Sequence, residues 1–192
     1  MIPILTKEQV YQLDKLTINS GYMTEEELMD NAGFSIACHI LENSPNPFNI
    51  KIAIICGKGN NGGDGIIAHH YLSQWNCHSE LILIDEKIKS SKIISNYEIA
   101  ENEITIYNKQ FDFSKYDLIL DGILGIGNSR KLDDKLTEII GKINLSENVI
   151  AIDIPSGLIV NNGIMKDSSI TARQTFAMGF PKLAHFINDG IF

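Results

Sequence analysis

The chain has 192 residues, 44% of them hydrophobic and 21% charged, with a formal net charge of −8 and a pI near 5.0. That balance belongs to an ordinary globular domain with a sizeable core, and its acidity argues against nucleic acid or an anionic membrane as a partner. No apolar run reaches the ~18–20 residues of a membrane-spanning helix, and Cys38, Cys56 and Cys77, odd in number and without C-x-x-C spacing, read as thiols of a reducing cytoplasm.

Taken in order, Thr6 with Gln9 and Thr24 with Glu27 are capping boxes, each opening a helix. The first helix carries Val10, Leu13 and Leu16 and breaks at Gly21. The second carries Leu28, Met29, Ala32, Ile36, Ala37 and Ile40 on one side and ends at Ser44-Pro45-Asn46-Pro47. Ile52 to Cys56 is a strand, followed by a tight loop from Gly57 to Gly65 and a helix through Ile66 to Trp75. Gly57-x-Gly59-x-x-Gly62 matches the dinucleotide fingerprint in its strand-to-helix setting and points to a phosphate-bearing ligand. The plainer reading is a glycine turn that packs a helix close to a sheet. Two helices ahead of the fingerprint speak against a plain dehydrogenase cofactor domain. Further strands are expected at 81–84, 104–107, 116–120, 149–154 and 174–178, with helices over 93–100 and 132–143. Strands alternating with helices imply one α/β domain with a mainly parallel central sheet.

Ligands of such sheets bind outside the carboxyl ends of the strands. Three polar, glycine-bearing segments leave strands there: Gly57 to Gly65, Asp121 to Arg130 and Asp153 to Gly157. They bring Asn61 and Asp64, Asp121 and Asn128, and Asp153 and Ser156. Clustered carboxylates repel one another unless a cation or donors intervene, and a hard cation held by oxygens would resolve that conflict. The lack of clustered Cys or His argues against zinc. For any one Asp, capping of the next helix is the plainer explanation. His69 and His70 are adjacent on a helix, point about 100° apart and read as packing or surface residues. Cys56 reads as an inert buried thiol. Lys182 reads first as a surface charge and second as an electrostatic partner of the acidic groups. Asp85, at the end of the second strand of the βαβ unit, sits where a dehydrogenase holds a ribose hydroxyl, which keeps a nicotinamide-dependent oxidoreductase open.

Four ordered blocks resemble the YjeF N-terminal domain family, the NAD(P)H-hydrate epimerases: LMDNAG at Leu28 to Gly33, GKGNNGGDG at Gly57 to Gly65, DGILGIG at Asp121 to Gly127 and DIPSGL at Asp153 to Leu158. The likeness runs from Leu5 to about Lys182. It implies a single-domain Rossmann-like three-layer αβα sandwich, a homodimer, and interconversion of the C6 epimers of hydrated NADH and NADPH (NADHX and NADPHX); the cysteines and the lack of a membrane-spanning run place it in the cytoplasm. It implies substrate contacts from Asn60, Asn61, Gly62, Gly63 and Asp64, from Gly125, Ile126, Gly127, Asn128, Ser129, Arg130 and Lys131, and from Asp153. It also implies a potassium ion (K+) on Asn61, Asp121 and Ser156. Asp153 is the expected acid–base residue, with Asp64 as alternate and Lys182 as electrostatic partner. Arg173 departs from the family's Asp, Gly122 replaces a commoner Ala, and the sequence stops at Phe192, short of the C-terminal strand segment that members of the family usually carry. No dehydratase domain is expected within 1–192, so a separate dehydratase would act in the same pathway. The same fold also serves as a non-catalytic dimerisation module in a messenger-RNA decapping scaffold, although a scaffold has no need of the polar residues retained here.

Overall fold

The computed structural model describes residues 2–127, 132–165 and 168–191. Among the described residues six strands form one sheet: β1 (Lys51–Cys56), β2 (His78–Leu83), β3 (Ile104–Ile106), β4 (Leu118–Gly122), β5 (Val149–Ile152) and β6 (Gln174–Phe176). Their order is β3-β2-β1-β4-β5-β6, and each neighbouring pair is parallel. β1 shows why the sheet is covered on both sides. Ile52, Ile54 and Cys56 pack with Ile36, Ala37 and Ile40 of α2 (Glu25–Asn43) and Ile66, Ala68 and Leu72 of α3 (Asn60–Gln74). Ala53 and Ile55 face the opposite core, with Ile139, Ile140 and Ile143 of α5 (Asp134–Ile143). Near-continuous apolar strands are what a parallel sheet buried on both faces requires. The result is the expected three-layer αβα sandwich.

Local chemistry sets the boundaries. Both capping boxes form, at Thr6 with Gln9 and at Thr24 with Glu27. The helix expected over 93–100 is only α4 (Lys92–Asn96): Glu98 turns left-handed at φ 51° and Ile99 N–H donates to the Ile94 carbonyl, closing the helix. The largest correction concerns the glycine loop. Helix α3 begins at Asn60, so the loop is Gly57 to Gly59, and Gly62, Gly63 and Gly65 lie inside the helix. Their role there is close approach. A Cβ on Gly62 would lie 2.0 Å from the Gly57 carbonyl oxygen, and one on Gly57 would lie 1.9 Å from that of Ile123.

Helix α1 (Lys7–Asn19) buries none of its residues, although its sequence is amphipathic. It lies over the open ends of the central strands rather than on a sheet face. Its start is tied by Leu5 N–H donating to the Pro181 carbonyl (2.9 Å) and Lys7 N–H donating to Asn161 Oδ1 (3.0 Å). Gly57→Ala tests the closeness of the strand ends. Overpacking of this kind costs about 1–3 kcal/mol, and urea denaturation should report a loss at least that large, because backbone rather than a flexible side chain must move.

Candidate active site

The winding of the sheet reverses between β1 and β4, and the crevice at such a switch point is where open α/β sheets take their ligands. A cavity of about 1220 Å³ opens there, above the roughly 300–1,000 Å³ typical of sites for drug-sized molecules. Asn60, Asn61, Asp64, Gly125, Ile126, Gly127, Asp153 and Lys182 all line it. Gly62 and Gly63 are buried behind that wall, packed on Gly57 and Met29. Asn128, Ser129, Arg130 and Lys131 lie outside the described residues.

Under the cavity the three strand-end segments are stitched together. Asn61 Nδ2, in the first turn of α3, donates to the Leu124 carbonyl (2.9 Å) and the Ile152 carbonyl (3.0 Å). Asp121, the fourth residue of β4, has no solvent exposure. Its Oδ2 accepts from Ser156 N–H (2.8 Å), and its Oδ1 accepts from Ser156 Oγ (2.6 Å) and Ile123 N–H (3.1 Å). Ser156 Oγ in turn accepts from Leu124 N–H (2.9 Å). Asn61, Asp121 and Ser156 therefore meet in one place.

These groups fit a hard monovalent cation. The cluster is all oxygen and amide, and burial pushes the Asp121 carboxyl up to about 6 against the pull of its hydrogen bonds from Ser156 and Ile123. No basic side chain among the described residues pairs with it. No cluster of three or more His, Cys, Asp and Glu side chains suited to a metal occurs among the described residues.

Residues 25–184 match the family described as YjeF-related protein N-terminus. The chain belongs to this family. A Weissella koreensis protein named NAD(P)H-hydrate epimerase is 32% identical over 195 residues, spanning 100% of this chain and 87% of that protein. A Dictyoglomus turgidum protein named bifunctional NAD(P)H-hydrate repair enzyme Nnr is 32% identical over 191 residues, 95% of this chain and 37% of that protein. The crystal structure of the yeast protein ynu0 superposes with a TM-score of 0.80 at 18% identity, over 97% of this chain and 85% of that one. It shares the fold.

Beside the stitched floor, this YjeF-related chain carries a buried charge centre. Lys182, which reads from sequence first as a surface lysine, has no exposure at all. Its Nζ bonds to Asp153 Oδ1 and donates to the Met178 carbonyl at 2.6 Å. Asp153 follows β5 with φ 64°, a left-handed conformation that Asp tolerates better than most residues. Met178 N–H donates to its Oδ1 at 3.2 Å. His185 latches the pair: one ring nitrogen, Nε2, donates to the Asp153 carbonyl (2.8 Å), and the other, Nδ1, accepts from Lys182 N–H (3.2 Å). Burial lowers the pKa of this imidazole. Asp64 lines the same cavity, and burial, with the nearby charges of Asp153 and Asp14, pushes its carboxyl up to about 8.

Sequence reasoning missed His185, Asp14 and Tyr11. The last two reach the cavity from α1, and nothing local in the sequence says that the helix crosses the cleft. His69 is fully buried, with Nδ1 at 2.9 Å from Ser79 Oγ and a pKa lowered to about 4 by burial, and His70 Nδ1 donates to the Tyr97 carbonyl. Both are packing residues. The Cys56 thiol is buried and its pKa is raised by burial first and by Asp64 and Asp121 second.

The Asp64 shift has a sign that experiment can read. Its folded pKa, about 8, lies above the unpaired value of 3.8, so the folded chain binds more protons between those limits and stability falls as pH rises through them. Urea denaturation at pH 5 and pH 8 should show Asp64→Asn gaining on the parent chain as pH rises.

Proposed function

We propose that this chain is an NAD(P)H-hydrate epimerase, an isomerase that repairs hydrated NADH and NADPH by interconverting their C6 epimers. The observation that carries this is the dinucleotide-sized cleft whose inner wall sets Asp64 beside the buried Asp153–Lys182 pair. The open first turn of α3, whose Gly59 cap supplies no side-chain bond, suits the substrate's phosphates.

The hydrate has its C6 hydroxyl next to the ring nitrogen. Asp64, protonated at neutral pH, donates its proton to that hydroxyl. The C6–O bond breaks, water departs, and the ring nitrogen's electron pair forms an iminium with C6. Asp153, held by Lys182, stabilises that cation. When water adds to the other face, Asp153 takes its proton, and exchange with solvent resets both carboxyls. General acid–base help of this kind contributes ~100- to 10,000-fold.

A potassium ion on Asn61, Asp121 and Ser156, with neighbouring carbonyls, would neutralise the Asp121 carboxylate and fix the floor. The chain's partner is a second copy of itself. Leu16, 67% exposed, lies on α1 outside the cavity lining and leaves the helix a large uncovered apolar side chain. No helix among the described residues is long and apolar enough to cross a membrane, and the free cysteines suit the cytoplasm. A dehydratase acting on one epimer would consume the product. A non-catalytic dimerisation module gains nothing from burying Asp64, Asp121 and Lys182, which is costly.

The test supplies R-NADHX and R-NADPHX with an S-specific dehydratase in excess and follows recovery of NADH and NADPH. The chain should accelerate recovery, more in potassium than in sodium buffer. Asp64→Asn and Asp153→Asn should each slow it ~100-fold or more, with circular dichroism reporting an intact fold. No acceleration by the parent chain rejects the proposal. Leu16→Glu should shift the sedimentation coefficient from dimer to monomer, since a charge cannot be buried there unpaired.

A further inference from the structure

The cleft has a second pole. Lys58, in the loop after β1, reaches Asp85 with its Nζ 2.5 Å from Oδ2, and Lys135, in the first turn of α5, donates to the Ile84 carbonyl at 2.5 Å. Ile84 and Asp85 directly follow β2, and all four residues line the cavity. In an acidic chain, two lysines thus converge on the tip of the second strand, across the cleft from Asp64, Asp153 and Asp14.

In sheets with this strand order the adenosine ribose sits at the tip of the second strand. An acidic residue there takes the ribose 2′-hydroxyl, and a basic one accommodates a 2′-phosphate. This corner holds both chemistries. Asp85 is already engaged, accepting from Lys87 N–H at 3.0 Å and from Lys58. The Lys58 side chain is 59% exposed, and exposed ion pairs of this sort are weak. Lys135 spends one proton on a neutral carbonyl. Asp133, which also lines the cavity here, is occupied in capping α5 through Leu136 N–H at 2.8 Å. A phosphate dianion offers both ammonium groups a stronger acceptor than either now has.

We propose that Lys58 and Lys135 form a subsite for the ribose 2′-phosphate, so that the hydrate of NADPH is preferred over the hydrate of NADH; this rests on the epimerase reading above. The charge separation along the cleft also orients the substrate. The phosphorylated ribose goes to the lysines and the hydrated ring to the acidic wall, where a phosphate would be repelled.

Two measurements test this. Calorimetric titration with adenosine 2′,5′-bisphosphate and with adenosine 5′-phosphate should show the bisphosphate binding about tenfold more tightly, the worth of one charge-assisted hydrogen bond. Lys58→Gln should remove several-fold of that selectivity, the double variant with Lys135→Gln should bring the two ligands close to parity, and Asp85→Asn should widen the gap. The ratio of kcat/KM for NADPHX over NADHX should follow the same order. Equal affinities in the parent chain, no binding of either nucleotide, or selectivity untouched by the double variant overturns the subsite. Selectivity without turnover of either hydrate rejects the epimerase reading and leaves the subsite standing. Turnover with equal kcat/KM for the two hydrates rejects the subsite alone.

Discussion

Asp121 is a carboxylate with no access to solvent, and the floor of the cleft is built around it. Its two oxygens hold the backbone and hydroxyl of Ser156, and Ser156 holds the backbone of Leu124. Asn61 closes the circuit by bridging Leu124 to Ile152. The ends of β4 and β5 and the first turn of α3 are thereby locked in mutual register. An ionised carboxylate in such a place is expensive unless fully compensated. Burial pushes the Asp121 carboxyl up, and its hydrogen bonds from Ser156 and Ile123 pull it back down.

Much of this was legible in the sequence because the signals were local. Capping boxes, apolar strands and a glycine-dense turn each report on a few adjacent residues. The convergence of Asn61, Asp121 and Ser156 followed from one general rule, that strand ends of a parallel sheet share an edge. The glycine block misled about conformation. So many glycines suggested a loop, yet Gly62, Gly63 and Gly65 are helical, selected for the atoms they let come near rather than for unusual dihedral angles. Residue-level propensity cannot separate those two reasons.

The misses were long-range. Lys182 and Asp153 are far apart in sequence, and only the return of the chain past β6 brings the lysine under Met178 and the acid. Helix α1 carries an apolar stripe, which ordinarily signals burial, yet the structure leaves it uncovered. Val10, Leu13 and Ile18 face a cleft and not a core. A periodic pattern tells that a helix has a preferred face, not what that face meets.

The attachment of α1 carries a mechanical consequence. Leu5 pairs with the backbone at Pro181 and Lys182, and Lys182 is the residue whose ammonium grips Asp153. Few rigid links separate the leading helix from the charged heart of the pocket. A displacement of that helix would be passed directly to the backbone on which Lys182 sits.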